Sequence, residues 1–201
     1  MENSITTINW DALKALSYPS KLGKSLANTL RKFNKEEIFK ELNKMIMHYT
    51  EHATKDVIKE GNRIKSIHSC YLKYEKYFPS TPVEKAFNDI LEIRVVLDDY
   101  QAFDNMKLPA CTKAADMRNG KAKDDGYRAI HVYYQEDHFH YPIEIQFVTE
   151  HDKKFNEWLH IYLYKYTSDS SIGIRLREMY EQGLIQTEER FREEMKKICV
   201  M

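Results

Sequence analysis

Between residues 128 and 149 apolar positions recur at every second residue, stop, and then resume. Ile130, Val132 and Tyr134 share one face of a predicted strand, leaving Arg128, Ala129, His131 and Tyr133 to the preceding turn and the opposite face. After a polar turn, Ile143, Ile145 and Phe147 repeat the pattern, and Pro142 takes the first position of the second strand, where a missing N–H matters least. Together the runs predict a β-hairpin with Glu144 and Gln146 side by side on the face away from the apolar one. The Ile-, Leu- and Val-rich run from Asp89 to Leu97 predicts a buried strand. Asp89 and Arg94 have opposite parity along it, which puts Asp89 at the strand entry or on a bulge.

Elsewhere the period is helical. Over residues 20–34, Leu22, Leu26, Leu30 and Phe33 form one stripe and predict an amphipathic helix. Its back carries Lys21, Lys24, Arg31, Lys32 and Lys35 within roughly a third of the circumference, which suits a solvated face or a phosphate contact. Asn34 with Glu37 is a capping box opening a long helix along Ile38, Leu42, Met45, Ile46 and Tyr49, with Gly61 as its terminator. Arg63 and Lys65 then fall in a short loop, and Ile67, Cys70, Tyr71 and Tyr74 carry a helix that must end by Pro79. From Tyr100 to Lys121 the pattern is weak, with a short helix and an edge strand near Leu108; residues 118–126 read as loop. Three helical patterns close the chain: Phe155, Trp158, Leu159 and Tyr162; Ile174, Leu176, Met179 and Tyr180; and Phe191, Met195 and Ile198. Strand and helix blocks segregate, which predicts an α+β fold, a central mixed β-sheet flanked by helices. Residues 1–201 read as one domain, with N-terminal helices over 1–60, a core over 61–149 and C-terminal helices over 150–201.

Charge narrows the partners. The 31 basic side chains balance the 31 acidic ones, so an anionic ligand must be held by local patches and not by a whole-molecule field. Cys70, Cys111 and Cys199 are scattered and odd in number, which argues against a disulfide framework and a structural zinc site. With no basic start followed by an apolar run, and no stretch of about 18 apolar residues, the chain reads as cytoplasmic with no membrane partner. His151-Asp152 spells a metal-phosphohydrolase dyad without its further ligands, so it reads as a helix entry with Asp152 near the N-cap. His138 and His140 read as a solvated turn, lacking a third ligand.

The candidate chemistry lies in four segments. Gly126-Tyr127-Arg128-Ala129-Ile130-His131 with Glu144-Ile145-Gln146, Arg63-Ile64-Lys65-Ser66 with Lys73, and Asp89 with Arg94 resemble, in order, the signature of the RelA/SpoT-type alarmone synthetase domain. The resemblance implies an ATP-dependent pyrophosphokinase that moves the β,γ-pyrophosphate of ATP to a 3′-hydroxyl, AMP being the leaving product. It implies catalytic carboxylates at Asp89 and Glu144, which also hold Mg²⁺, and ATP-binding cations at Arg63, Lys65, Lys73 and Arg94. Arg94 would stack its planar guanidinium on the adenine. Tyr127 would stack on the acceptor base, with Lys123, His131 and Gln146 completing the acceptor site.

Two departures fall near the acceptor. Glu-Ile-Gln-Phe-Val-Thr stands where the family has Glu-Ile-Gln-Ile-Arg-Thr, so Val148 replaces a cation, and the loop before Tyr127 reads Lys-Asp-Asp-Gly where Pro-Lys-x-Asn-Gly is usual. With the short N-terminal helices, these resemble the toxic small alarmone synthetase branch, which modifies the 3′ end of tRNA and is neutralised by a cognate antitoxin. For that acceptor the cationic track would be Lys21, Lys24, Arg31, Lys32 and Lys35 with Arg118 and Lys121. The alternatives are a (p)ppGpp or related synthetase using GDP or GTP, and a catalytically weak nucleotide-binding module.

Overall fold

The computed structural model describes residues 8–53, 61–167 and 169–200. The chain divides into two compact units, one of Met1–Val95, Asn105–Ala114 and His131–Gln146, the other of Val96–Asp104, Ala115–Ile130 and Phe147–Met201. The class is α+β, built on a five-stranded mixed sheet of order β1-β2-β5-β4-β3. Its strands are β1 (Asn62–Ile64), β2 (Leu91–Leu97), β3 (Thr112–Asp116), β4 (Ile130–Tyr134) and β5 (Ile143–Thr149).

The predicted hairpin strands, β4 and β5, are hydrogen-bonded neighbours. β5 is the middle strand, and both of its faces are covered: every residue from Ile143 to Val148 is buried, Glu144 and Gln146 included. Burial alternates along β4, as the two-residue period requires. Asp89 lies just before β2, at the strand entry.

In the first unit, α1 (Trp10–Leu16) is capped by Asn9, whose side chain accepts from the Ala12 N–H. Asn34 caps α2 (Lys35–His52) by accepting from the N–H groups of Glu36 and Glu37, and α2 buries Ile38, Leu42, Met45 and Tyr49. The helix stops at His52, short of Gly61, and residues 54–60 lie outside the described ones. Ser66 caps α3 (Ile67–Tyr77), and the single-turn helix α4 (Val83–Ala86) leads to Asp89.

Two expectations fail in this unit. Residues 20–34 are not an α-helix but an irregular run of bends and turns leading to a 3₁₀ turn over Leu30–Lys32. Its backbone donors go to other segments: Leu26 N–H to His138 O, Leu30 N–H to Thr81 O, with bridges Pro19–His140 and Thr29–Pro82. Gly23, at φ 71°, turns the chain where a helix would need φ near −63°. Leu26 and Leu30 are still buried, so the apolar stripe records burial without helical geometry. Arg63 likewise lies not in a loop but in β1, antiparallel to β2, with Arg63 opposite Glu92; three residues are too few to show a period.

In the second unit the short helix α5 (Gln101–Asp104) appears where expected. The edge strand β3, most of it in the first unit, comes a few residues after Leu108. The three C-terminal patterns are α6 (Glu150–Trp158), continued by a π-helical turn over Leu159–Leu163, then α7 (Ser170–Glu181) and α8 (Glu188–Val200). Phe155, Trp158, Leu159, Leu163, Leu176, Tyr180, Ile185 and Phe191 form their common core. Thr149 caps α6 by accepting from the Asp152 N–H. Asp152 itself is buried, taking the Tyr100 hydroxyl at 2.7 Å and the Arg177 guanidinium. That is a structural ion pair at a helix entry. No helix among the described residues is long and apolar enough to cross a membrane.

Candidate functional site

In the first unit three elements converge on one carboxylate. The Lys65 N–H donates to Ile90 O at 2.9 Å, which fixes the chain leaving β1 against the entry to β2. Its ammonium and that of Lys73, from α3, both donate to Asp89 Oδ2, the latter at 2.5 Å. The side chains are largely covered, 12% exposed for Lys65, 23% for Lys73 and 13% for Asp89. Burial alone would raise the Asp89 pKa, but the two lysines outweigh it and hold the carboxyl below its ordinary range. Asp89 Oδ1 is buried and has no hydrogen-bond partner among the described residues. A buried anionic oxygen is satisfied by a cation, a donor or a water.

The second carboxylate is Glu144. His131 Nδ1 lies 3.0 Å from its Oε1 and the Gln146 amide donates to Oε2 at 3.1 Å. Facing a carboxylate, Nδ1 is the nitrogen that carries the ring proton. Burial raises the Glu144 pKa, the His131 hydrogen bond lowers it, the Asp89 charge raises it again, and the net result is a carboxylate ionised below its ordinary range. The two acids therefore feel one another while both remain charged. A hard cation fits this donor set: two ionised carboxylates, one with a bare buried oxygen. Cys70, beside Asp89 and the lysines, is inert packing, its thiol pushed up to about 11 by burial and by the Asp89 charge.

Arg63 is exposed and its side chain makes no hydrogen bond or ion pair among the described residues, so its guanidinium is open to an anion. Arg94 is 37% exposed, with one terminal nitrogen 3.5 Å from Glu92. All six residues expected on the ATP side, Arg63, Lys65, Lys73, Asp89, Arg94 and Glu144, belong to this unit. His131 and Gln146, expected on the acceptor, are here the hydrogen-bond supports of Glu144.

Tyr127 and Lys123 belong to the second unit. The loop before Tyr127 is an Asx-type turn: Asp124 Oδ1 accepts from the Gly126 N–H at 3.0 Å and Asp125 Oδ1 from the Tyr127 N–H at 3.2 Å. Arg128 forks onto Asp124 at 2.7 and 2.9 Å. Gly126 has φ 86°, and a Cβ there would sit 2.4 Å from Gly173 O, so the loop lies directly on the backbone of α7. Lys121 places its ammonium 4.6 Å from the Tyr127 ring centroid. Lys123 is exposed.

Of the expected cationic track, Lys21, Lys24, Arg31 and Lys32 lie on no α-helix that would align them, and Lys35 is the first residue of α2. Lys35 pairs with Glu75 at 2.6 Å and lies over the Tyr71 and Tyr74 rings; Lys24 donates to Lys32 O at 2.9 Å; Lys21, Arg31 and Lys32 are exposed. Arg118 is held by Asp116 and Asp104, and Lys121 by Asp125.

Sequence reasoning missed the buried Glu41 of α2, which accepts from the Ser20 hydroxyl at 2.7 Å, the Lys21 N–H at 2.6 Å and the Tyr141 hydroxyl at 2.9 Å. It missed the Gly126–Gly173 contact as well. A glycine inside an otherwise helical pattern was the available signal.

The family model described as "Region found in RelA / SpoT proteins" matches residues 62–169, more than half of the chain. No curated protein matches significantly. Among solved structures, the chain is similar to small alarmone synthetase 1 of Bacillus subtilis bound to its product pppGpp, with 22% identity, 81% of this chain and 89% of that chain covered, and a TM-score of 0.46. It is also similar to a GTP pyrophosphokinase family protein of Streptococcus pneumoniae, with 20% identity, 96% and 93% covered, and a TM-score of 0.45. On the family match and the residues it spans, the chain belongs to the RelA/SpoT family and is a pyrophosphokinase of the alarmone-synthetase type.

Proposed function

We propose that the chain transfers the β,γ-pyrophosphate of ATP to the 3′-hydroxyl of a guanosine 5′-nucleotide, releasing AMP. The observation that carries this reading is the pair of ionised carboxylates in the first unit, Asp89 flanked by two lysines with one oxygen bare, and Glu144 held by His131 and Gln146. In the step, the 3′-oxygen forms a bond to the β-phosphorus, the bond from that phosphorus to the α,β-bridging oxygen breaks, and AMP leaves with that oxygen. Glu144 takes the hydroxyl proton, a role that needs the ionised form its surroundings favour. Lys65, Lys73 and Arg63 stabilise the negative charge that gathers on the triphosphate. Asp89 and Glu144 would hold Mg²⁺, which when bound neutralises phosphate charge and orients the chain of phosphates. Arg94 offers its guanidinium plane to the adenine. Tyr127 offers its ring to the acceptor base and Lys123 its charge to an acceptor phosphate.

A second reading takes the tRNA 3′ end as acceptor, with toxicity restrained by a cognate antitoxin. The exposed Lys21, Arg31 and Lys32 favour it, but the aligned basic helix it called for does not form. A mixture of GDP, GTP and deacylated tRNA incubated with γ-labelled ATP and Mg²⁺ separates the two. Label on the guanosine nucleotides is expected; label confined to tRNA would overturn the first reading in favour of the second.

A further inference from the structure

The loop that carries Tyr127 has its charges compensated from within. Asp124 neutralises Arg128 through a two-point fork. Asp125 Oδ2 takes the Lys121 ammonium at 2.8 Å and the Tyr164 hydroxyl at 3.1 Å, while its Oδ1 holds the Tyr127 N–H. Tyr164 reaches this oxygen from the end of the π-helical turn, where its own N–H bonds to Leu159 O at 3.0 Å, five residues back. The extra residue of such a turn re-aims the side chains that follow it. Lys121 is thus tied at two points, to a carboxylate and to one face of the aromatic ring.

We propose that Asp125 is a specificity-determining residue that makes this acceptor loop nearly indifferent to the number of phosphates on its acceptor. It does so by pinning Lys121 across Tyr127. The inference rests on the reading of Tyr127 as the acceptor's stacking ring. An aromatic face backed by an already neutralised ammonium still stacks on a purine, but the ammonium adds no free charge for a 5′-polyphosphate. Of the loop's cations, Lys121 and Arg128 each have an internal carboxylate, while Lys123 is exposed to solution. A purine nucleoside carrying one 5′-phosphate therefore gains nearly as much from this loop as one carrying three. Asparagine at position 125 would keep the turn, since its Oδ1 still accepts from the Tyr127 N–H, and would release Lys121.

The test is acceptor binding, measured by calorimetry with the donor side saturated by a non-transferable ATP analogue, using GMP, GDP and GTP on wild type, D125N, K121Q and the double variant. Wild type is expected to bind GMP and GTP within about threefold of each other. D125N should raise the GTP-over-GMP preference about fivefold, the scale of one partly exposed charge-assisted contact. K121Q alone, which leaves the Asp125 carboxylate without its ammonium, should lower the ratio, and adding K121Q to D125N should return it to the wild-type value. A ratio unchanged in D125N, or a double variant that keeps the gain of D125N, would overturn the proposal. Transfer of label to the same nucleotides is scored separately. Ratios that move as expected without any transfer would sink the acceptor reading and leave the role of Asp125 standing.

Discussion

Replacing Gly173 with alanine sets helix propensity against packing. Within α7 the exchange should by propensity stabilise the helix by about 1 kcal/mol. The added Cβ, however, would lie 2.0 Å from Asp125 O and 2.9 Å from its carbonyl carbon, inside the 3.0 Å that real Cβ contacts respect. The obstructing atoms are backbone, in a loop held by the Asp124–Gly126 and Asp125–Tyr127 hydrogen bonds, so relief requires moving the loop by about 1 Å. Overpacking of this kind costs about 1–3 kcal/mol, and each loosened loop hydrogen bond adds about 1 kcal/mol. The net expectation is destabilisation by about 1–3 kcal/mol, read as a lower urea midpoint at unchanged slope. Acceptor affinity should fall with it, because Tyr127 rides on the displaced loop, while affinity for an ATP analogue stays put. A variant as stable as wild type, with acceptor affinity intact, would refute the close approach of α7 to this loop.

Asp89→Asn and Glu144→Gln should each lower the transfer rate by orders of magnitude while leaving the far-ultraviolet circular dichroism spectrum unchanged, since each removes one charge with little change of shape; full turnover in either would remove that residue from the catalytic set. Arg94→Lys should weaken ATP binding more than its conserved charge suggests, and calorimetry showing equal affinity would dismiss the stacking role. Both carboxylates are held below their ordinary range, so their contribution to stability is complete above the unfolded carboxylate pKa of about 4 and is lost as pH falls through the lower folded values. Urea midpoints should therefore drop below about pH 4, and less steeply in Asp89→Asn; parallel curves would argue against that linkage.

The sequence was most legible where one local rule met no competitor. The Asn34 cap, the α2 stripe, the alternation in β4 and β5 and the three C-terminal helices all appear in place. Within the first unit Asp89 lies against Lys65 and Lys73, and Glu144 against His131 and Gln146, the last two having been expected on the acceptor. Residues 20–34 misled because spacing reports which side chains are buried but not where backbone donors go, and here several go to Pro79, Thr81, His138 and Phe139. Internal neutralisation of Lys121, Arg118 and Lys35 was invisible for a related reason: their partners are set by the folded geometry, and Glu75 lies far from Lys35 in sequence.

The identity of the nucleotide left behind by ATP tests pyrophosphoryl transfer most directly. With Mg²⁺, γ-labelled ATP and GDP or GTP, the expected products are AMP and a guanosine nucleotide carrying the label, formed in equal amounts. ADP as the spent nucleotide, or label released only as free phosphate or pyrophosphate with the guanosine nucleotide untouched, would contradict it.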